Sequence, residues 1–263
     1  MGSMGFRDLA SRPLYRVYEE RLLQGLDRAK LPGHIGVIHD GHRRYARSEG
    51  LPDYAASYRV GMAKFVEFLE WTEDLEIPAV TCWLLSKENL QRPSEELLPY
   101  YEVLGELFDQ IPDALAGHDL GVRFIGSLDL LPAELVASAK RLEERMPDGK
   151  RRVTIALAYG GRQEIVDAVR DLVASLADEG LYGDEIVKQI DAEGIAANLY
   201  TAGLPDPDLV IRTSGEQRLS GFMLWQSAHS EFYFCEVNWP DFRHVDFLRA
   251  LRSYANRQRR YGA

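Results

Sequence analysis

Short apolar runs that stop abruptly at glycine, hydroxyl or charged residues alternate with helix-period segments about six times along this chain. That rhythm constrains the fold more than any other feature. Residues 34–39, 79–85, 122–125, 153–158, 209–211 and 231–235 read as strands. Helical spacing fills the intervals near 57–75, 95–116 and 132–145, the stretch from Gly161 onward, and 243–259. The alternation predicts an α/β fold, a single domain with a mostly parallel six-stranded sheet surrounded by helices. An amphipathic helix over 12–30 precedes it, giving an N-terminal helical segment at 1–32 and the main domain at 33–263. Met1–Met4 reads as an added leader or an alternative start.

With 263 residues, 46% of them hydrophobic, the chain can bury a full core. Lys and Arg number 31 against 41 Asp and Glu, so a surface-wide basic field for nucleic acid is excluded and any bound anion must be met by a local cluster. Cys82 and Cys235 form no metal-type or redox-type pair, which fits buried thiols in a reducing, cytoplasmic compartment. No run approaches the roughly 20 apolar residues that span a bilayer.

In parallel sheets ligands bind beyond the carboxyl ends of the strands, so the strand exits carry the functional reading. Four of them share one chemistry: Asp40-Gly41-His42-Arg43-Arg44-Tyr45, Ser86 to Pro93, Tyr159-Gly160-Gly161-Arg162, and Arg212 to Gly221. They gather Arg43, Arg44, Arg92, Arg162, Arg212 and Arg218 at one predicted rim of an acidic protein. Guanidinium forks beside glycines suit phosphate oxygens. Asp40 reads either as a helix N-cap or as a carboxylate holding Mg²⁺ against diphosphates. His34, His39 and His42 fit no zinc spacing, and strand alternation sends His34 and His39 to opposite faces. Neither a dinucleotide fingerprint nor a Walker loop is present.

Taken together, these exits resemble the cis-prenyltransferase family, the undecaprenyl-diphosphate-synthase-like enzymes. Asp40 to Tyr45 is similar to the family's Asp-Gly-Asn-X-Arg-Trp signature, and Ser86 to Pro93 to its Ser-X-Glu-Asn-X-X-Arg-Pro segment. Asp208 to Ser220, continuing through Phe222, Leu224-Trp225-Gln226 and Glu231, resembles its most diagnostic block. The likeness covers roughly 33–262. It implies the cis-prenyltransferase fold with a hydrophobic tunnel, a homodimer, and Mg²⁺-assisted coupling of an allylic prenyl diphosphate to a five-carbon isoprenoid diphosphate.

Carried over residue by residue, the resemblance makes Asp40 the metal-binding aspartate, with Glu231 completing the metal region. Gly41, Arg43, Arg44 and Arg92 serve the allylic substrate, while Arg212, Arg218 and Ser220 serve the second diphosphate. Tyr45, Lys87, Glu88, Leu90 and Leu219, which stand within these motifs, are counted as substrate-binding too. Ser86, Asn89 and His42 join Asp40 as catalytic candidates, Ser86 and Asn89 through proton removal. Leu84 and Leu85 are expected in the tunnel wall; Trp83, Phe65, Phe68 and Leu69 belong either to that wall or to ordinary core. Arg260-Tyr261-Gly262 resembles the family's C-terminal Arg-X-Gly, which reaches the partner subunit's phosphate site.

Three departures shape the expected product. His42 replaces the signature Asn, a position that also varies in relatives making branched products. Asp53 and Tyr58 stand where long-chain members place Arg and His. Leu84 fills a position that they keep small. The expectation is a short product of about ten to fifteen carbons, formed by regular cis head-to-tail or by head-to-middle, lavandulyl-type coupling. A metal-dependent phosphohydrolase and a non-catalytic prenyl-diphosphate-binding subunit are the alternatives. No nucleic-acid partner and no transmembrane segment are expected, with peripheral membrane contact for product release.

Overall fold

Apolar and β-branched residues dominate the six strands: β1 (His34–Ile38), β2 (Ala79–Trp83), β3 (Leu120–Ile125), β4 (Arg151–Ala156), β5 (Leu209–Arg212) and β6 (Glu231–Phe234). The computed structural model describes residues 17–257. The strands form one sheet in the order β3-β4-β2-β1-β5-β6, and every neighbouring pair is parallel. All strands therefore end at the same edge. Both β1 and β2 are buried along their whole length, as expected for strands covered on two faces.

Nine helices surround the sheet among the described residues: α1 (17–24), α2 (His42–Ser48), α3 (Tyr54–Asp74), α4 (Ser94–Ala114), α5 (Ala133–Arg145), α6 (Gly161–Asp178), α7 (Asp184–Gln189), α8 (Ala192–Ala197) and α9 (His244–Ala255). Ile35, Val37, Val80 and Cys82 face a core shared with α3, α4, α5 and α9. Ile38, Trp83 and Val210 face a second, smaller core containing Tyr159, Phe222 and Met223. Leu22 and Leu26 of the N-terminal segment are buried in the larger core. No helix among the described residues is long and apolar enough to cross a membrane.

The boundaries differ from the sequence reading in three instructive places. First, β2 stops at Trp83, not Leu85, because the N–H groups of Leu84 and Leu85 both turn to the Ala156 carbonyl, at 3.2 and 3.4 Å. Second, the leading helix breaks at Gly25, and a 3₁₀ turn at Arg28–Lys30 follows; its predicted beginning lies outside the described residues. Third, α2 is absent from the helical stretches expected from spacing. The Asp40-Gly41 turn is present, but the chain coils into two helical turns immediately after it. α3 likewise begins earlier than the expected 57, at Tyr54, where the Asp53 carboxylate caps it by accepting the Ala56 N–H at 2.8 Å.

Candidate active site

The four functional exits belong to β4, β2, β1 and β5, which are consecutive in the sheet. Strand order, rather than sequence proximity, brings three of them, those of β2, β1 and β5, to one cavity of about 530 Å³; no residue of the β4 exit, Tyr159 to Arg162, lines it. Six arginines (Arg43, Arg44, Arg47, Arg92, Arg212 and Arg218) line it, against two carboxylates, Asp40 and Glu216. Ile38, Tyr58, Trp83, Leu84 and Tyr100 add apolar and aromatic surface to the same lining. An anionic head and an apolar tail are the complementary shape.

Arg212 organises the centre. Its guanidinium is only 6% exposed and donates to Asp40 Oδ2 at 2.7 Å, to Ser220 Oγ at 2.8 Å and to the Arg218 carbonyl. Thr213 Oγ1 accepts the Asp40 N–H at 2.9 Å and donates to the Asp40 carbonyl at 2.7 Å. Burial alone would raise the Asp40 pKa. The hydrogen bond and charge of Arg212, with donors from Ser214 and Gly41, outweigh it and hold the carboxyl below the usual carboxylate value. Asp40 is thus ionised at neutral pH while its side chain stays 37% exposed.

Gly41 has φ 110°, and a Cβ there would lie 2.5 Å from Asn238 Oδ1, so both backbone and space require glycine. His42 then turns inward. Its ring occupies the notch left by Gly61, where an added Cβ would come within 2.1 Å of His42 Cε1. The ring meets Tyr58 edge-on at 5.3 Å, and the Ser57 hydroxyl donates to the His42 carbonyl at 2.7 Å. Burial lowers the imidazole pKa to about 4 despite the nearby Asp40 charge, so His42 is neutral at pH 7.

Carboxylates stand in for phosphate oxygens around the rim. Glu216 pairs with both Arg44 and Arg218. Glu96, at the start of α4, accepts from Arg92 at 3.2 Å, Arg43 at 3.4 Å and the Tyr58 hydroxyl at 3.4 Å. Such solvated pairs are individually weak, so a diphosphate can displace them. Glu96 and Tyr100 escaped the sequence reading. The available signal was spacing: Glu96 and Tyr100, four residues apart, share one face of α4, and Arg92 lies just before its start.

Of the expected residues, Asp40, Gly41, His42, Arg43, Arg44, Leu84, Ser86, Asn89, Arg92, Arg212, Arg218 and Ser220 all border the cavity. Ser86 Oγ accepts the Asn89 N–H at 3.1 Å, which fixes this exit as a tight turn. The others lie elsewhere. Lys87 donates to Gln163 on α6 at 2.8 Å, Glu88 stands near Gly160, and Leu90 and Leu219 pack against the two cores. Leu85, Phe65, Phe68 and Leu69 are core residues, at most 1% exposed and outside the lining. Tyr45 is half-buried beside the cavity's lining residues without joining them. Arg162 is exposed and outside the lining; its exit contributes Gly161, packed so closely that a Cβ would lie 2.6 Å from the Gly221 carbonyl oxygen.

Glu231 corrects the expected metal region within this chain. It begins β6 and is in register with Leu209 and hence with Ile35, at the amino edge of the sheet, whereas Asp40 follows the carboxyl end of β1. Its carboxylate pairs with Arg257 instead. Arg260 lies outside the described residues. No cluster of three or more His, Cys, Asp or Glu able to hold a metal occurs among the described residues. Of the two carboxylates that line the cavity, Asp40 is paired with Arg212 and Glu216 with Arg44 and Arg218.

Residues 38–262 match the family model described as "Putative undecaprenyl diphosphate synthase". The chain belongs to this prenyltransferase family. It is 50% identical over 255 residues to isoprenyl transferase 1 of Corynebacterium efficiens, covering 95% of this chain and 98% of the relative. It is 51% identical over 253 residues to a (2Z,6E)-farnesyl diphosphate synthase of Mycobacterium tuberculosis, covering 95% and 96%. Among solved structures, lavandulyl diphosphate synthase from Lavandula x intermedia, in complex with dimethylallyl diphosphate, superposes with a TM-score of 0.83. That match has 32% identity and covers 89% of this chain and 100% of the other.

Proposed function

We propose that the chain is a Mg²⁺-dependent short-chain prenyl diphosphate synthase that joins an allylic diphosphate, geranyl or dimethylallyl, to a five-carbon isoprenoid diphosphate. The single observation that carries this reading is the cavity itself, lined by six guanidiniums and Asp40 together with Ile38, Trp83, Leu84 and Tyr100. Arg43 and Arg44, at the start of α2, and Arg92 bind the allylic diphosphate; Arg212, Arg218 and Ser220 bind the second. Breaking the allylic C–O bond moves a pair of electrons onto the leaving diphosphate, and the arginines stabilise that charge as it develops. Asp40 would hold Mg²⁺, which would supply further neutralisation of the developing charge. The apolar wall keeps water from the allylic cation until the five-carbon double bond attacks it. The coupled cation then loses a proton to an acceptor oriented by Ser86 and Asn89.

The relatives at about half identity favour regular cis addition, and geranyl diphosphate extended once to a fifteen-carbon product is the primary reading. Head-to-middle coupling is the second reading. His42, in place of the signature Asn, fills the cavity wall with an imidazole, and the superposed plant enzyme is named for a lavandulyl product. Phosphohydrolase chemistry would require a second Asp two residues after the first, where this chain buries His42. Retention of Asp40, Asn89, Arg212 and Arg218 around one cavity supports a catalytic rather than a merely binding subunit.

A homodimer is part of the proposal. β6 is an edge strand, its Phe234 is exposed, and the tail resembling Arg-X-Gly follows α9. A cytoplasmic location, with product handed to a membrane surface, accords with two unpaired buried thiols and an oily product. Incubating purified protein and Mg²⁺ with each pair of five- and ten-carbon diphosphates, then separating the dephosphorylated products by gas chromatography, tests the reading. A linear cis alcohol supports the primary reading and a branched one the second. Release of inorganic phosphate without a new carbon–carbon bond overturns both.

A further inference from the structure

We propose that Tyr159, Glu164 and Gln226 are positioning residues: from behind the cavity they hold the turn at 86–89 and the loop at 212–220 in one fixed relation. The inference rests on the prenyl diphosphate reading and gives a task to the β4 exit, which lines no part of the cavity. Tyr159 is fully buried, and its backbone carries the sheet pairing into the β2 exit. Its N–H donates to the Leu85 carbonyl at 3.1 Å, its carbonyl accepts the Lys87 N–H at 3.0 Å, and Ser86 forms a parallel bridge with it. Two residues on, the Gly161 N–H donates at 2.9 Å to the carbonyl of Gly221, the residue after Ser220. One short segment thus touches both exits.

Side chains complete the link. The Tyr159 hydroxyl donates to Glu164 Oε2 at 2.5 Å, while Gln226 Nε2 donates to Glu164 Oε1 at 3.0 Å and to Thr201 Oγ1 at 2.7 Å. Glu164 stands in the first turn of α6 with no exposed surface, and Gln226 follows the loop that carries Arg218 and Ser220. The Tyr159 ring meets Trp83, a lining residue, and Phe222 edge-on at 6.1 and 6.2 Å. A buried carboxylate met by uncharged donors is seldom worth more to stability than an apolar side chain of similar volume. What it adds is a fixed geometry between donors from separate segments. Backbone strain marks the same segments. Five non-glycine residues among those described have φ in the left-handed region: Ala158 (46°) precedes Tyr159, and Ser214 (78°), Ser220 (52°) and Met223 (45°) lie in or just after the loop; the fifth is Glu76. Such conformations persist only where the surroundings over-determine them, and the Tyr159–Glu164–Gln226 set supplies that constraint. Arg43 and Arg44 belong to α2 and to another exit, so loosening the set spares the allylic diphosphate.

The experiment compares the full-length wild type with Tyr159→Phe, Glu164→Ala and Glu164→Gln, each checked for folding by circular dichroism. Steady-state constants are measured with geranyl and isopentenyl diphosphates and Mg²⁺, and amide hydrogen exchange is followed over 85–92 and 212–223. Tyr159→Phe and Glu164→Ala are expected to raise KM for isopentenyl diphosphate about tenfold and to lower kcat about tenfold. KM for geranyl diphosphate is expected to stay within about twofold, and exchange to quicken in both segments. Glu164→Gln is expected to restore near-wild-type constants. Its amide can accept from the Tyr159 hydroxyl and donate to Gln226 Oε1, which has no hydrogen-bond partner among the described residues. Should Glu164→Ala fail to fold, Tyr159→Phe, which keeps the ring, decides. A folded variant that only melts lower, with wild-type constants, overturns the proposal, and so does one in which KM rises equally for both substrates. A wild type that does not couple this pair defeats the functional reading alone, because exchange still decides the link. Faster exchange in both segments then upholds it, and unchanged exchange in either overturns it.

Discussion

Arg212 Nη2 lies 2.7 Å from Asp40 Oδ2, joining the exits of β5 and β1 across 172 residues of sequence. The pair is asymmetric: the arginine is nearly buried and the aspartate opens onto the cavity. Its two partners therefore fail differently when altered. Asp40→Ala leaves a buried guanidinium without its counter-charge, whereas Asp40→Asn keeps an acceptor in place.

Asp40→Asn is expected to lower kcat by about 10²–10³-fold with little change in melting temperature. Asp40→Ala is expected to lose as much activity and to cost about 3 kcal/mol of stability besides. Steady-state kinetics and urea unfolding of the two variants check this; equal stabilities would mean that Arg212 does not depend on the ion pair.

Glu216 occupies Arg44 and Arg218 in the absence of an anion. Replacing it with glutamine frees both guanidiniums. The variant is expected to bind inorganic pyrophosphate severalfold more tightly, with a steeper dependence on salt. Isothermal titration at two ionic strengths measures both effects, and weaker binding would instead make Glu216 a contributor to the anion site.

The His42 notch makes a paired prediction. Gly61→Ala places a methyl group against the imidazole and is expected to destabilise the protein by about 1–3 kcal/mol. His42→Asn in the same chain is expected to recover most of that loss, because the shorter side chain clears the methyl. A double-mutant cycle by denaturant unfolding gives the coupling; additive losses would show that the ring does not need the notch.

Buried imidazoles also set the acid response. His42 titrates at about 4 in the folded protein and near 6.5 when exposed, so between these values the unfolded chain holds a proton that the native state does not. Stability is full above pH 6.5 and falls as pH drops toward 4, by on the order of 3 kcal/mol for this group. His34 and His39, also lowered by burial, act in the same direction. Thermal melts from pH 7 to 4.5 in EDTA are expected to show a shallower decline for His42→Asn than for the wild type.

Much of the site was legible because a strand exit advertises itself. Asp40-Gly41 and Arg212-Thr213 each follow an apolar run, and parallel strands must deliver such exits to a common edge. Glu231 differs from them: it begins its strand, which puts it at the opposite edge from Asp40 within this chain. Two further features depended on tertiary packing. His42 could be buried only because Gly61, nineteen residues later, lacks a side chain. Tyr100 reads as one more apolar residue of an amphipathic helix, and only tertiary packing brings it to the cavity lining, its hydroxyl donating to the Leu84 carbonyl.

The cavity is stitched together late. Its first arginines arrive with α2, but the guanidinium that neutralises Asp40 and positions Ser220 lies in the last quarter of the chain, on a strand laid down next to the earliest one. A nascent or prematurely ended polypeptide would carry an unbalanced cluster of charge and no closed hollow. A cavity complete with the Arg212 bonds to Asp40 and Ser220 therefore requires β5 in place beside β1.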